Sequence, residues 1–443
     1  MKITRRTFLK AAAATPLITP SATWAGSTAA NSRITVGLIG MGRMSQSLLN
    51  HFLFRTQVLA VCDVDKTRRD HAKKTVNDFY TNNKNLGKPD CKAYLNYEDM
   101  LAREDIDTVI IITPDHWHAL MTQDAVRAGK DVYCEKPLTH SIAETVDVMD
   151  EVAKHDRILQ TGSQQRSGRE FRVSCELARN GAIGEIERIE CAFGGGPVPC
   201  DLPEEPMEPG LDWNLWLGPA PMRPYNSELS PRGIHEHFPH WRRFIEYGGG
   251  SVADWGAHHI DIAHWAMGMD DSGPVEILPP ENKDASHGVR LKYANGVEVI
   301  HTGDGFGVHM FGTEGEIMVD RGKFWFIREG ETVAKFTQRE DGGSLRHSLV
   351  KAESEFLEDP EVRLHRVDDT HVDDFLRSVE SRKTPIANEQ AGGRTAIACH
   401  LINLAYLHRE PMKWDPDKLT FAENTGNSDW LVGNRRDYHS YEG

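Results

Sequence analysis

Positive charge is in short supply in this 443-residue sequence: 51 Lys and Arg stand against 66 Asp and Glu, a formal net charge of -15 at pH 7. Such a surface repels phosphate backbones and anionic headgroups, which argues against nucleic acid and membrane surfaces as partners. The acidic residues are spread along the chain, so no disordered acidic arm is expected. Cysteine is sparse. Cys62, Cys91, Cys134, Cys175, Cys191, Cys200 and Cys399 form an odd, scattered set without paired short spacings, which suggests neither a zinc site nor a disulfide framework. Cys62 and Cys134 lie in apolar runs and read as small buried hydrophobes. Long apolar runs, internal repeats and low-complexity linkers are missing as well. The stretch 11–18 is short, mildly apolar and interrupted by Pro16, so no membrane span is expected in the mature protein.

What the chain does have begins with Thr4-Arg5-Arg6-Thr7-Phe8-Leu9-Lys10 ahead of that stretch, with small residues at Thr23, Ala25 and Ala30 for cleavage. The pattern resembles a twin-arginine export signal, so residues 1–30 are expected to be a signal peptide and linker, and the destination periplasmic or exported. Substrates of that export machinery fold first, often around a cofactor. A chain of this length exceeds a single core, and two domains are expected.

The stretch 33–39 is apolar and β-branched, and Gly40-Met41-Gly42-Arg43-Met44-Ser45 then opens a helical pattern. A second strand pattern, 57–62, ends at Asp63, 23 residues after Gly40. This is the arrangement of a dinucleotide site: Gly40 allows a tight turn, Gly42 lets backbone amides approach a pyrophosphate, a helix N-terminus favours its charge, and Asp63 accepts from the adenosine ribose. Ser45 stands for the third glycine. Asp63 also repels a 2'-phosphate, favouring NAD, while Lys66, Arg68 and Arg69 nearby leave NADP possible. A wholly apolar run ends at Thr113-Pro114-Asp115-His116-Trp117-His118, and another at Glu135-Lys136-Pro137, each followed by a helical pattern. The alternation predicts a doubly wound parallel sheet over 31–162.

Together, Gly40-x-Gly42-x-x-Ser45, Thr113-Pro114-x-His116-x-His118 and Glu135-Lys136-Pro137 resemble the N-terminal half of the Gfo/Idh/MocA oxidoreductases. The resemblance implies a Rossmann domain with tightly bound NAD, Arg43, Met44, Thr113, Pro114, His116, His118 and Glu135 beside the cofactor, and Lys136 reaching substrate at the nicotinamide. It also implies a homo-oligomer.

After 162 the alternation stops. Helix 168–180, strand 185–193, a hairpin about Asn295-Gly296 and a helix 395–408 predict an α+β domain over 163–443 on a largely antiparallel open sheet. Within 248–265, Asp254, His258, Asp261 and Trp265 fall on one face at 100° per residue. Ser251-x-x-Asp254 also has the form of a capping box, which would make Asp254 only a helix cap. Gly256 in a helix interior points instead to close approach by another backbone or a ligand. The segment resembles the family's second signature, implying that Asp254 and His258 face the substrate. The chemistry expected is removal of a hydroxyl proton by a neutral His258, oriented by Asp254, with Lys136 on the reacting oxygen and Asp261 in support. Gln165, Arg166, Trp213, Arg242 and His259 are candidates for holding a hydroxyl-rich ring. His235, His237, His240, His258 and His259 would suit zinc only if they converged, and no metal is expected. The function expected is NAD(P)-dependent hydride transfer at a sugar, polyol or glycoside hydroxyl. Alternatives are an NAD-dependent glycosidase using transient oxidation and a nucleotide-binding sensor without turnover.

Overall fold

The computed structural model of the chain describes residues 33–235, 238–436 and 438. The twin-arginine motif, its cleavage residues and His237 lie outside the described residues.

Six strands form the first sheet: β1 (Thr35–Ile39), β2 (Gln57–Cys62), β3 (Lys92–Tyr94), β4 (Thr108–Ile111), β5 (Asp131–Cys134) and β6 (Leu159–Thr161). Their order is β3-β2-β1-β4-β5-β6, and every pairing is parallel. Continuous apolar runs fit because helices cover both faces: Val36 and Leu38 enter one core, Ile39 and Ile111 the other. The order reverses direction at β1 and β4, so the ligand-binding crevice of such a sheet opens at their carboxyl ends.

The second sheet has ten strands: β7 (Ile186–Ala192), β8 (Glu276–Leu278), β9 (Arg290–Lys292), β10 (Glu298–Thr302), β11 (Val308–Gly312), β12 (Gly315–Asp320), β13 (Lys323–Arg328), β14 (Glu331–Phe336), β15 (Met412–Asp415) and β16 (Thr420–Ala422). The order is β14-β13-β12-β11-β7-β10-β9-β8-β15-β16. Only β7 and β10 pair parallel among those whose registers are described. Alternate residues such as Val299, Met310, Ile317 and Phe326 enter one core with the helices Arg169–Arg179, Gly256–Met267 and Glu389–His408.

The second half does not stay in its own domain. The helix His371–Ser381 places Val372, Phe375 and Leu376 in the core of β1 and β5, and Arg55 grips Asp373 with Nε at 2.5 Å and Nη2 at 3.1 Å. The helix expected from 395 begins at Glu389, because Asn388 caps it by accepting from Ala391 N at 3.0 Å. Gly392 and Gly393 within it are points of close packing: a Cβ on Gly392 would overlap Thr161, and one on Gly393 Met149. No described helix is long and apolar enough to cross a membrane.

Candidate active site

The first domain supplies one wall of the crevice. Gly40, at the end of β1, has φ +91°, and a Cβ there would lie 2.7 Å from the Ile112 carbonyl carbon and oxygen. A Cβ on Gly42 would meet nothing within 4 Å, so the turn is open on that side. Ser45, in the third-glycine position, donates from Oγ to the Gly42 carbonyl at 2.7 Å and starts the helix Ser45–Arg55. Asp63 braces the turn from the next strand by accepting from Met41 N at 2.6 Å and from Asp65 N at 2.8 Å. Burial raises the Asp63 pKa, and Arg68 opposes that shift.

At the end of β4, Pro114 precedes the helix Asp115–Arg127. His118 presents Nδ1 to the Pro137 carbonyl at 2.7 Å and Nε2 to that of Thr113 at 2.9 Å, joining the β4 and β5 loops. His116 departs from expectation. Its Nε2 lies 3.0 Å from the Trp216 carbonyl, the ring packs beside Trp216 and Tyr247, and it does not line the crevice. Burial pushes His116 down to about 3 and His118 to about 4, so both are neutral. After β5, Glu135 accepts from Gln164 Nε2 at 2.8 Å, and Gly162 makes room for it, since a Cβ there would come within 2.7 Å of the carboxylate.

The second domain supplies the opposite wall. Gly250 has φ +66°, and a Cβ on it would clash with the Gly196 carbonyl carbon at 2.5 Å. This close turn starts the short helix Gly250–Asp254, which passes through Trp255 into Gly256–Met267. No capping box forms: Ser251 Oγ accepts from Gly194 N at 2.9 Å, and the short helix has no side-chain cap. Asp254 is thereby available to Lys136, whose Nζ donates to Oδ1 across the two domains. Burial would raise the Asp254 carboxyl, but Lys136, Arg242 and Arg321 outweigh it and hold it below its ordinary value. Burial, with Lys136 and Arg321, keeps His258 well below the usual imidazole range, so it is neutral at pH 7. At Gly256 the close approach is made by a side chain: the Phe193 ring would lie 3.1 Å from its Cβ.

Several expected residues are placed elsewhere. Asp254 and His258 share no hydrogen bond; the carboxylate is committed to cations, and His258 Nδ1 is buried without a partner. Asp254 therefore pairs with Lys136 and not with the imidazole. Arg166 is 2% exposed and sealed between Asp261 and Asp270, away from the crevice. Asp261, expected in support of His258, serves that closed pair. Trp213 stacks on Trp216 and donates from Nε1 to the Arg223 carbonyl at 2.7 Å, leaving no face for a ligand. His259 turns Nδ1 to the Ala192 carbonyl at 2.9 Å, behind the wall. Gln165 also lies behind it: in the amide orientation that satisfies both its atoms it donates to the His258 carbonyl at 3.1 Å and accepts from Arg321 Nε at 3.2 Å. Its neighbour Gln164 lines the crevice instead. Among the described residues no group of three or more His, Cys, Asp or Glu is arranged to hold a metal ion.

Among the lining residues that escaped the sequence are Asp115, Trp255, Arg321 and Tyr438. Asp115 had a signal, since it follows Thr113-Pro114 at the end of a parallel strand, where ligands of such sheets bind. Burial pushes it up to about 8, against the pull of Lys136 and Arg242. The crevice holds about 480 Å³, within the usual range for small-molecule sites. Gly40, Gly42, Arg43, Met44, Asp63, Thr113, Pro114, His118, Glu135, Lys136, Arg242, Asp254 and His258 all line it. Thr113 Oγ1 and Arg242 Nη1 are buried there without hydrogen-bond partners. An open glycine turn, a helix start and a carboxylate one strand over fit a dinucleotide.

Residues 34–163 match the oxidoreductase family model described as an NAD-binding Rossmann fold, and residues 198–322 match that family's C-terminal alpha/beta domain. The chain belongs to the Gfo/Idh/MocA family. Among curated relatives it is 29% identical over 215 residues to a glycosyl hydrolase family 109 protein of a Shewanella strain, across 43% of this chain and 45% of that one. It is 32% identical over 168 residues to another from Shewanella woodyi, across 37% and 34%. The chain spans less than half the length of these relatives. Solved structures share the fold at low identity. They include levoglucosan dehydrogenase with NADH and levoglucosan (TM-score 0.55, 17% identical, 86% of this chain and 99% of that one). Aldose-aldose oxidoreductase from Caulobacter crescentus is similar to the same extent (0.56, 16%, 86% and 99%).

Proposed function

We propose that this crevice transfers a hydride between NAD and a hydroxyl-bearing carbon of a sugar, polyol or glycoside. The observation that carries the reading is the meeting of Lys136, from the end of β5, with Asp254, one turn before His258, at the edge of a crevice shaped for a dinucleotide.

When bound, NAD supplies the hydride acceptor. Gly42 and the start of Ser45–Arg55 would hold its pyrophosphate, Asp63 would accept from the adenosine ribose and disfavour a 2'-phosphate, and Thr113, Pro114 and His118 form the wall towards Glu135. Lys136 donates to the reacting oxygen, and its pairing with Asp254 fixes where the ammonium stands. His258, neutral in this setting and lining the crevice, would take the hydroxyl proton. Tight retention of nucleotide accords with a twin-arginine signal, and export with the nucleotide bound is part of the proposal.

A second reading draws on the glycosyl hydrolase relatives: oxidation at one carbon, elimination of the aglycone and return of the hydride give net cleavage. Protein purified natively from cytoplasm is tested with nitrophenyl glycosides and their free sugars. NADH formed without nitrophenol supports the dehydrogenase, and nitrophenol released without NADH the glycosidase. Bound nucleotide with neither activity, unchanged in His258→Ala, overturns both and leaves a sensor.

A further inference from the structure

The substrate end of the crevice carries an imbalance of charge that the hydride-transfer reading leaves unused. Lys136, Arg242 and Arg321 all act on the single carboxylate of Asp254. Asp115 is nearby, but burial lifts it to about 8, so it is mostly protonated at neutral pH. Glu135 is turned to Gln164 and Tyr133, and His258 is neutral. Three cations against the carboxylates of Asp254 and Glu135 still leave an excess of positive charge where the reacting molecule must lie.

Two of those cations are incompletely used. Arg242 approaches Asp254 only to 3.9 Å, and its Nη1 is buried without a hydrogen-bond partner. Arg321, at the turn between β12 and β13, has its Nε on Gln165 and its guanidinium over the Trp255 ring at 4.8 Å. Among the described residues no carboxylate lies within ion-pair distance of Arg321. Stacking on an aromatic ring pre-orients a guanidinium fork, and a planar carboxylate matches that fork through paired hydrogen bonds. Trp255 itself is 44% exposed while lining the crevice between Asp254 and the helix of His258. A large ring left open there offers an apolar surface to the C–H face of a pyranose.

We infer that the substrate is a carboxylate-bearing pyranoside of the uronic acid class, its ring against Trp255 and its carboxylate on Arg321. This rests on the hydride-transfer reading for the place of the substrate and adds its chemical class. Charge complementarity also favours this class from a distance, because a cationic pocket on a net-acidic protein draws an anion to itself while the remaining surface repels it.

The test uses the nucleotide-loaded full chain and matched probes: methyl β-D-glucuronide against methyl β-D-glucoside, and methyl α-D-galacturonide against methyl α-D-galactoside. Binding is read by calorimetry and NADH by absorbance. In at least one pair the acid is expected to bind more tightly by about tenfold or more, the worth of a charge-assisted contact. Arg321→Gln is expected to erase that preference, with Arg321→Lys restoring part of it. Equal or tighter binding of the neutral member in every pair, or no binding of either acid, overturns the inference. So does loss of nucleotide from Arg321→Gln, which assigns the guanidinium to the cofactor. If neutral sugars alone yield NADH, hydride transfer stands and the acid class falls. If an acid binds through Arg321 without NADH, the class stands and hydride transfer falls.

Discussion

Asp254 and Asp261 are seven residues apart on nearly continuous helix, yet their ion pairs differ in kind. Around Asp261 everything is closed. Arg166 Nε lies 2.9 and 2.8 Å from its two oxygens, Asp270 takes both terminal nitrogens at 2.9 and 2.7 Å, Thr395 donates at 3.2 Å, and the Arg166 and Asp261 side chains are each 1% exposed. Around Asp254 one carboxylate faces three cations, Arg242 Nη1 is unpartnered, and the group lines a crevice. Buried charge with all its partners fixes a structure, whereas charge with donors to spare is suited to a ligand.

The widest separation between the two clusters is expected from removing one cation from each. Lys136→Met should lower kcat by about 10² to 10⁴, the span of a lost acid-base contact. Its thermal midpoint should hardly move, because Asp254 retains Arg242 and Arg321. A variant of unchanged turnover would make the open cluster structural. Arg166→Met should do the reverse: stranding the buried Asp261 carboxylate costs about 3–5 kcal/mol in denaturant unfolding. A loss of turnover without loss of stability would return Arg166 to the substrate.

A smaller effect is expected from acid. His264 sits beside the closed cluster with Nε2 2.6 Å from the Tyr293 hydroxyl, and burial pushes it down to about 4. An unfolded chain takes up that proton near pH 6.5. Between pH 6.5 and 4 the unfolded state binds more protons, so stability falls with pH through that window. This group alone should remove about 2 kcal/mol between pH 7 and 5, and His264→Gln should flatten the slope of thermal midpoint against pH. The smallest effect is expected at Trp213. Trp213→Phe should lose about 1 kcal/mol with its hydrogen bond to Arg223 and leave KM unchanged; a raised KM would put Trp213 back against substrate.

The same contrast marks what was legible in the sequence. The parallel sheet was readable because strands buried on both faces are unbroken apolar runs; β1 and β2 end in residues that line the crevice, and the residues just after β4 and β5, Ile112 and Glu135, line it too. Helical spacing also aligned Asp254, His258 and Asp261. It did not tell that this column passes from an open crevice into a sealed core, because that depends on Arg166 arriving from another segment. Gln164 and Gln165 were separable only in three dimensions, where a 3-10 turn over Gln164–Ser167 sends one into the crevice and the other behind it. Arg321 and Trp255 meet by tertiary packing alone, and no local pattern announces a guanidinium over a distant ring.

The most direct test of the account is a crystal structure of the protein with NAD. The account predicts the adenosine ribose on Asp63, the pyrophosphate at Gly42, and the nicotinamide beside Lys136 with His258 opposite. Nucleotide bound away from Lys136, or a crevice that takes none at saturating NAD, would contradict it.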